Sequence, residues 1–434
     1  MKCLVCEANV RNDYIFCPNC GALLSTQTHQ PSTYSYYHPQ VEDQKISDKT
    51  IIDKINNLSS KREFYFRLLL TLGFFSLLFM VSFICFTAMM YSGYLRGGIG
   101  GLIIWFIASV LSIFFSIFML LLIRQIDLYE KEPWGLIIFS FFWGALGSTI
   151  LSLFMNEINN IIFSSIFGRD IGSIMTATIS APIFEEFFKL LVIPIIIILF
   201  RVNFNSPMDG LVYIFASSLG FKIIEDLVYG AQFTAQTGAI YGFILLVLVR
   251  WIMGFLGHPL MSIFSGFAVG LATVTSNFFL KLVYITIGYL LSVGAHFVWN
   301  FMASVGPNLL GWYVCLWFPL QTTILIIIFI FLYFIALNIE KNILKTILYE
   351  DVKNGFLTSE IVEELTDFRL RNIKKRSLSN EQKRLYEILM HELAIYALLK
   401  KQSNQSLGNE IQKTLQEKKE IINYLKPYLI GGVS

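Results

Sequence analysis

Long apolar runs separated by short polar breaks fill the chain from about residue 66 to residue 338. A helix needs about 20 residues to cross the hydrocarbon core of a bilayer. About eight stretches meet that length: 66–91, 99–123, 134–158, 174–200, 208–230, 252–275, 280–303 and 311–338. The sixth is the least regular, because the apolar run from Ala239 to Val274 is too long for one span. Its first part, carrying Arg250, reads as an interfacial or re-entrant piece. The pattern predicts an all-α polytopic membrane protein, and an even number of spans puts both termini on one side.

The two ends follow different patterns. Cys3-Leu4-Val5-Cys6 and Cys17-Pro18-Asn19-Cys20 are two CxxC knuckles joined by a short connection, with Gly21 behind the second. Two such turns facing each other complete a tetrahedral Cys₄ site, so Cys3, Cys6, Cys17 and Cys20 are expected to hold a structural Zn²⁺ in a ribbon over residues 1–24. Rubredoxin-type iron and disulfides are the lesser alternatives. Residues 25–62 are rich in Gln, Ser, Thr, Tyr and Pro and read as a flexible linker that includes His29 and His38. The transmembrane domain is placed at 63–338, and 339–434 returns to a soluble helical pattern. There Ser379, three residues before Gln382, reads as a capping box ahead of Leu385, Ile388, Leu389, Leu393 and Tyr396 at helical spacing. His391 in that helix is expected at the surface.

Composition agrees with a chain solvated mainly by lipid. Hydrophobic residues make up 55% of the 434, and the mean hydropathy is +0.62. A net charge of +3 is too small to imply a nucleic-acid partner. Lys61, Arg62 and Arg67 precede the first span, and thiolates kept for metal imply a reducing compartment. Both termini are therefore expected in the cytosol of a multi-pass cell-membrane protein, with no secretory signal at the start. The ribbon and the tail are the surfaces left for a cytosolic partner. Cys85 and Cys315 lie in apolar runs and are expected to pack there.

Against this background a few polar groups stand out, because an ionisable side chain deep in a bilayer is costly and defaults to a functional reading. Glu185 and Glu186 lie in the fourth apolar stretch, with Lys189 one helical turn away to balance charge. Pro182 and Pro194 bracket them and are expected to kink that span. The fifth stretch carries Phe221-Lys222-Ile223-Ile224-Glu225 followed by Asp226. His258 follows, and then His296 and Asn300 at i and i+4 on one helix face. Groups so far apart in the chain can share a site only where several helices converge on a protein-lined cavity.

This ordered set resembles the PrsW family of intramembrane proteases, within the wider group of CAAX-prenyl endopeptidases and bacteriocin-processing relatives. The family pattern has an EExxK segment, an FxxxE segment, a later His, and a final His followed four residues on by Asn or Asp. Further matches are Tyr129-Glu130-Lys131-Glu132-Pro133-Trp134, Gly144-Ala145-Leu146 and Pro207-Met208-Asp209-Gly210. The resemblance spans roughly Arg124 to Asn300 and leaves out the ribbon and the tail. Lys222 and Asp226 depart from it, standing where a small residue and Asn are usual.

The resemblance implies a membrane-embedded endopeptidase, of bacterial origin, acting on a membrane-anchored protein such as an anti-sigma factor. In that reading Glu185 activates the water, Glu186 is its partner, and Glu225 positions the water or shares its proton. His258 orients water or substrate, while His296 with Asn300 donates to the developing oxyanion. Two His and a Glu are also a common catalytic zinc set. The lack of an HExxH spacing favours the metal-free reading over a catalytic Zn²⁺. A catalytically silent scaffold or bacteriocin-immunity protein is the alternative. A transporter is a third class, disfavoured because no repeated halves are found.

Overall fold

In the computed structural model, the residues described are 109–254, 256–404 and 409–430, together with 98–100, 103, 106 and 107. Every regular element among them is helical. The CxxC knuckles, the linker and the first expected span lie outside the described residues.

Five helical stretches among the described residues are long and apolar enough to cross a bilayer: Ser109–Ile126, Trp134–Phe167, Ile240–Val274, Phe278–Ser304 and Gly306–Lys353. The expected spans 174–200 and 208–230 are not among them. The first is divided into the helices α3 (Arg169–Met175), α4 (Ala181–Leu190) and α5 (Val192–Leu199), with a π turn at Thr176–Ser180. The second is α6 (Pro207–Thr237), which carries Asp209, Lys222, Glu225 and Asp226. The helices before them are α1 (Ser109–Ile126) and α2 (Trp134–Phe167), the latter widened by a π turn at Trp143–Ser148.

After α6 come α7 (Ala239–Leu245), a π segment at Leu246–Met253, and α8 (Gly257–Val274). The overlong apolar run is therefore not one smooth span. It breaks where Leu256 takes a left-handed conformation, φ 55°. A non-glycine residue held there costs of order 1–3 kcal/mol, so the surrounding packing must impose it. The break leaves Arg250 on the π segment, facing inward. The remaining long helices are α9 (Phe278–Ser304) and α10 (Val314–Lys353).

Close helix approach builds the centre. An added Cβ on Gly144 of α2 would lie 1.7 Å from the Ser217 carbonyl oxygen of α6, and one on Gly220 of α6 would lie 1.9 Å from that of Phe141. Only hydrogen fits at either position, which is how helices associate in lipid without a hydrophobic drive between them. Around this contact Leu136, Ile137, Leu211, Ile214, Leu260 and Ile263 are fully buried. Outward, α10 shows Ile327, Phe331 and Phe334 on one face, all highly exposed, as a lipid-facing stripe requires. Cys315, expected to pack, is exposed on the same helix, on the side of its first turn that faces away from the buried Val314.

The 40 residues of α10 make a rod of about 60 Å, twice the hydrocarbon thickness. Its far end meets a helical tail formed by α11 (Ser359–Thr366), α12 (Phe368–Ser377), α13 (Asn380–Ser403) and α14 (Asn409–Ile430). The capping box is present, with Ser379 and Gln382 satisfying each other's backbone N–H groups. Leu385, Leu389, Leu393 and Tyr396 are buried as their spacing predicts. His391 is half-buried instead of surface-exposed, because the tail packs against the turn after α1 and places Tyr129 beside it. A tilted contact between the Tyr129 and Phe368 rings, centroids 5.1 Å apart, and the bond from Arg371 Nη1 to the Leu128 carbonyl secure that packing.

Candidate functional site

Four helices each bring one polar segment to the same place. The π turn at Thr176–Ser180 runs into α4, where Pro182, with its missing N–H, suits the first turn. From there Glu185, Glu186 and Lys189 share one buried helix face. α4 stops at Leu191, and Pro194 lies in the first turn of α5, so the expected kink is a break between α4 and α5. Glu225 comes from α6, His258 from the first turn of α8, and His296 from the middle of α9.

Glu186 is the hub. Its Oε1 accepts from Lys189 Nζ at 2.5 Å and from His296 Nδ1 at 2.9 Å, and its Oε2 accepts from Ser262 Oγ at 2.6 Å. A carboxylate so paired is ionised and only accepts, so Nδ1 of His296 carries the proton. The other ring nitrogen, Nε2, then presents its lone pair to Glu185 Oε2, 3.6 Å away. Glu185 Oε1 is held by Asn156 Nδ2 of α2 at 3.2 Å, whereas Oε2 has no hydrogen-bond partner. Two acceptors facing each other at that distance repel. The gap suits a water, a proton or a cation.

The His258 ring stands edge-on to the His296 ring, centroids 4.9 Å apart. Its Nε2 donates to Glu225 Oε2, and its Nδ1 accepts from Lys189 Nζ at 3.2 Å. Glu225 is held in place by Arg250 Nη2, and Arg250 Nε donates to Asp226 Oδ1 at 2.7 Å. Lys222 pairs with Asp226 on the same helix. The two residues that depart from the family pattern are thus partners of each other, and Arg250 is tied to both Glu225 and Asp226. Phe221 is buried against this cluster, beneath Lys189 and edge-on to His258, whereas Phe187 faces outward.

Asn300 stands apart. Its Nδ2 donates to the Ala177 carbonyl in the π turn at 2.9 Å, tying α9 to the segment that leads into α4. Sequence reasoning missed Ser262 and Asn156. Ser262 lies four residues after His258 on the same helix face, a spacing that marks it as a neighbour. Asn156 gives no such signal, since nothing in its own helix points toward Glu185.

A family model described as the PrsW family intramembrane metalloprotease matches residues 132–335. Protease PrsW of Oceanobacillus iheyensis is 31% identical over 185 residues, which is 42% of this chain and 78% of that protein. No solved structure matches. The family description implies a metal, and Glu185, His258 and His296 offer ligand atoms that all lie within 4.8 Å of one another. Glu185 Oε2 and His296 Nε2 present free lone pairs to the gap. His258 offers one only by releasing Lys189 or Glu225. The donor set fits a divalent metal with that single exchange.

Proposed function

Since the chain belongs to the PrsW family of intramembrane proteases, we propose that it is a membrane-embedded endopeptidase that hydrolyses a peptide bond in a membrane-anchored protein, an anti-sigma factor or a similar regulator. The observation that carries this reading is the unpartnered Glu185 Oε2 facing His296 Nε2 inside a buried ring of fixed polar groups.

Glu185 is the base, with one oxygen anchored by Asn156 and the other directed at the gap. It takes a proton from a water seated there and passes it to the leaving amine. Glu186 holds His296 in one tautomer, Lys189 balances Glu186, and Ser262 fixes its second oxygen. Glu225, clamped by Arg250, orients His258 at the edge of the gap. Asn300 keeps the π turn in register with α9, which sets where His296 points.

The three-ligand geometry favours a second reading of the same site, in which Glu185, His258 and His296 hold a divalent metal. A bound metal would supply an acidified water and polarise the scissile carbonyl. In both readings the termini lie in the cytosol, and the Cys₄ ribbon carries a structural zinc. A comparison of membrane-protein fragments in cells carrying wild-type protein or Glu185→Gln tests the proposal. A fragment that depends on Glu185 identifies the substrate, and identical fragment sets would leave the silent-scaffold alternative.

A further inference from the structure

A second buried polar cluster lies away from Glu185, where three breaks in the apolar pattern meet. The turn between α1 and α2 supplies Asp127, Glu130 and Glu132; the approach to α6 supplies Asn205 and Asp209; and α10 supplies Glu340. None of the six is more than 5% exposed. Carboxylate oxygens of Asp127, Glu132 and Asp209 all lie within 4.8 Å of one another.

Turn chemistry accounts for only part of this cluster. Asp127 Oδ1 accepts from the backbone of Tyr129 and Glu130 at 3.2 and 3.1 Å. Asp209 accepts from the backbone N–H groups of Asn205 and Ser206 and from the Ser206 hydroxyl. Glu130 takes Asn205 Nδ2 at 3.2 Å, and Glu132 takes the Tyr213 hydroxyl. Left over are Asp127 Oδ2, Glu132 Oε1, Asn205 Oδ1 and both oxygens of Glu340, all buried and accepting nothing. The Ser206 hydroxyl cannot serve Glu340, because its one proton is given to Asp209 at 2.5 Å. None of the ion pairs among the described residues involves these five carboxyl groups.

Asn205 separates two explanations. Protons shared between neighbouring carboxyl groups would satisfy the acids, and burial, followed by the charge of Asp209, does push Asp127, Glu130 and Glu132 well above the usual carboxylate range. An amide oxygen gains nothing from that unless a proton is aimed at it, and its orientation is fixed because Nδ2 is committed to Glu130. A cation satisfies acid and amide oxygens alike.

We propose that Asp127, Glu132 and Asp209, with Asn205 and Glu340 beside them, form an oxygen-only site for a hard divalent cation. Carboxylate and carbonyl oxygens without nitrogen or sulfur select Ca²⁺, Mg²⁺ or Mn²⁺ over zinc. The inference does not rest on the peptidase reading. The bound ion would fasten the turn after α1 to the start of α6 and to α10, three segments separated in the chain by about 70 residues or more.

The test uses the full chain in detergent, stripped with chelator and then titrated separately with Ca²⁺, Mg²⁺ and Mn²⁺. Bound metal is read by equilibrium dialysis and stability by thermal unfolding. We expect about one equivalent of one of these ions to bind and to raise the unfolding temperature. Glu340→Gln removes charge without breaking a hydrogen bond, so it should fold. It and Asp127→Asn should each weaken binding at least as much as the roughly 10–100-fold that loss of an outer metal partner costs. Glu185→Gln, altered at a site whose two histidines do not suit hard ions, should bind Ca²⁺ and Mg²⁺ as wild type. The proposal is overturned if no ion binds at millimolar concentration, if both cluster variants bind normally, or if Glu340→Gln stabilises a chain that takes up no ion. The last result would mean that shared protons neutralise the cluster.

Discussion

His296 donates its Nδ1 proton to Glu186 and turns Nε2 toward Glu185, so two adjacent carboxylates on one helix reach opposite nitrogens of one ring. That arrangement assigns them different work. Glu186 is saturated by three donors, while Glu185 keeps an oxygen free.

Glu185→Gln should therefore reduce cleavage by about 10²–10⁴-fold, the usual worth of a general base, while expression and membrane insertion stay unchanged. Glu186→Gln should damage activity and folding together, because it leaves Lys189 and His296 without a charged partner in a buried place. A substrate-cleavage assay beside a thermal unfolding curve separates the two, and full activity in the Glu185 variant would remove the mechanism.

Ser262→Ala removes one bond to a charged acceptor, worth about 1.5–3 kcal/mol. If that energy sets the position of Glu186 in the transition state, kcat should fall roughly tenfold or more with KM nearly unchanged. A change in KM alone would place Ser262 in substrate binding.

Metal content divides the two readings of the reaction. The full chain should hold about one zinc through Cys3, Cys6, Cys17 and Cys20, and a chain lacking residues 1–24 should lose it yet keep basal activity. Chelator-sensitive activity with metal still bound after the truncation would make Glu185, His258 and His296 ligands, and direct base catalysis would be the wrong reading.

Gly144→Ala and Gly220→Ala should each destabilise the bundle by about 1–3 kcal/mol or more, since a methyl would strike backbone less than 2 Å away. Gly294→Ala on α9 is the matched control, because nothing lies within 4 Å of its added carbon. Thermal unfolding of the three variants in one detergent gives the comparison.

What was legible in the sequence follows from how each feature is encoded. The expense of charge in lipid exposed Glu185, Glu225, His258 and His296, and the capping box at Ser379 is local chemistry. The break at Leu256 was visible only as an excess of length, because its left-handed backbone is imposed by packing and not by residue type. Asn156 and Glu340 were silent for a related reason. Each is an ordinary polar residue in its own helix and acquires meaning only from a partner more than 25 residues away in the chain, Glu185 for one and the turn at Asp127 for the other. The span count was least secure where helices are short or charged, as at 174–200 and 208–230, since a hydropathy run does not reveal the π turn or the stop at Leu191.

The length of α10 has a mechanical meaning. Near one end Gln321 Nε2 grips the carbonyl of Ala295, the residue before His296, at 2.7 Å; farther along, Lys345 and Tyr349 grip Glu363 of the tail. About 36 Å of unbroken helix separates Gln321 from Lys345. The rod is a lever with its short arm on the peptide that carries the His296 imidazole. A tilt of about 10° about Gln321 sweeps Lys345 through roughly 6 Å. Whatever pulls on the tail therefore works with a long arm, and the torque arrives next to His296.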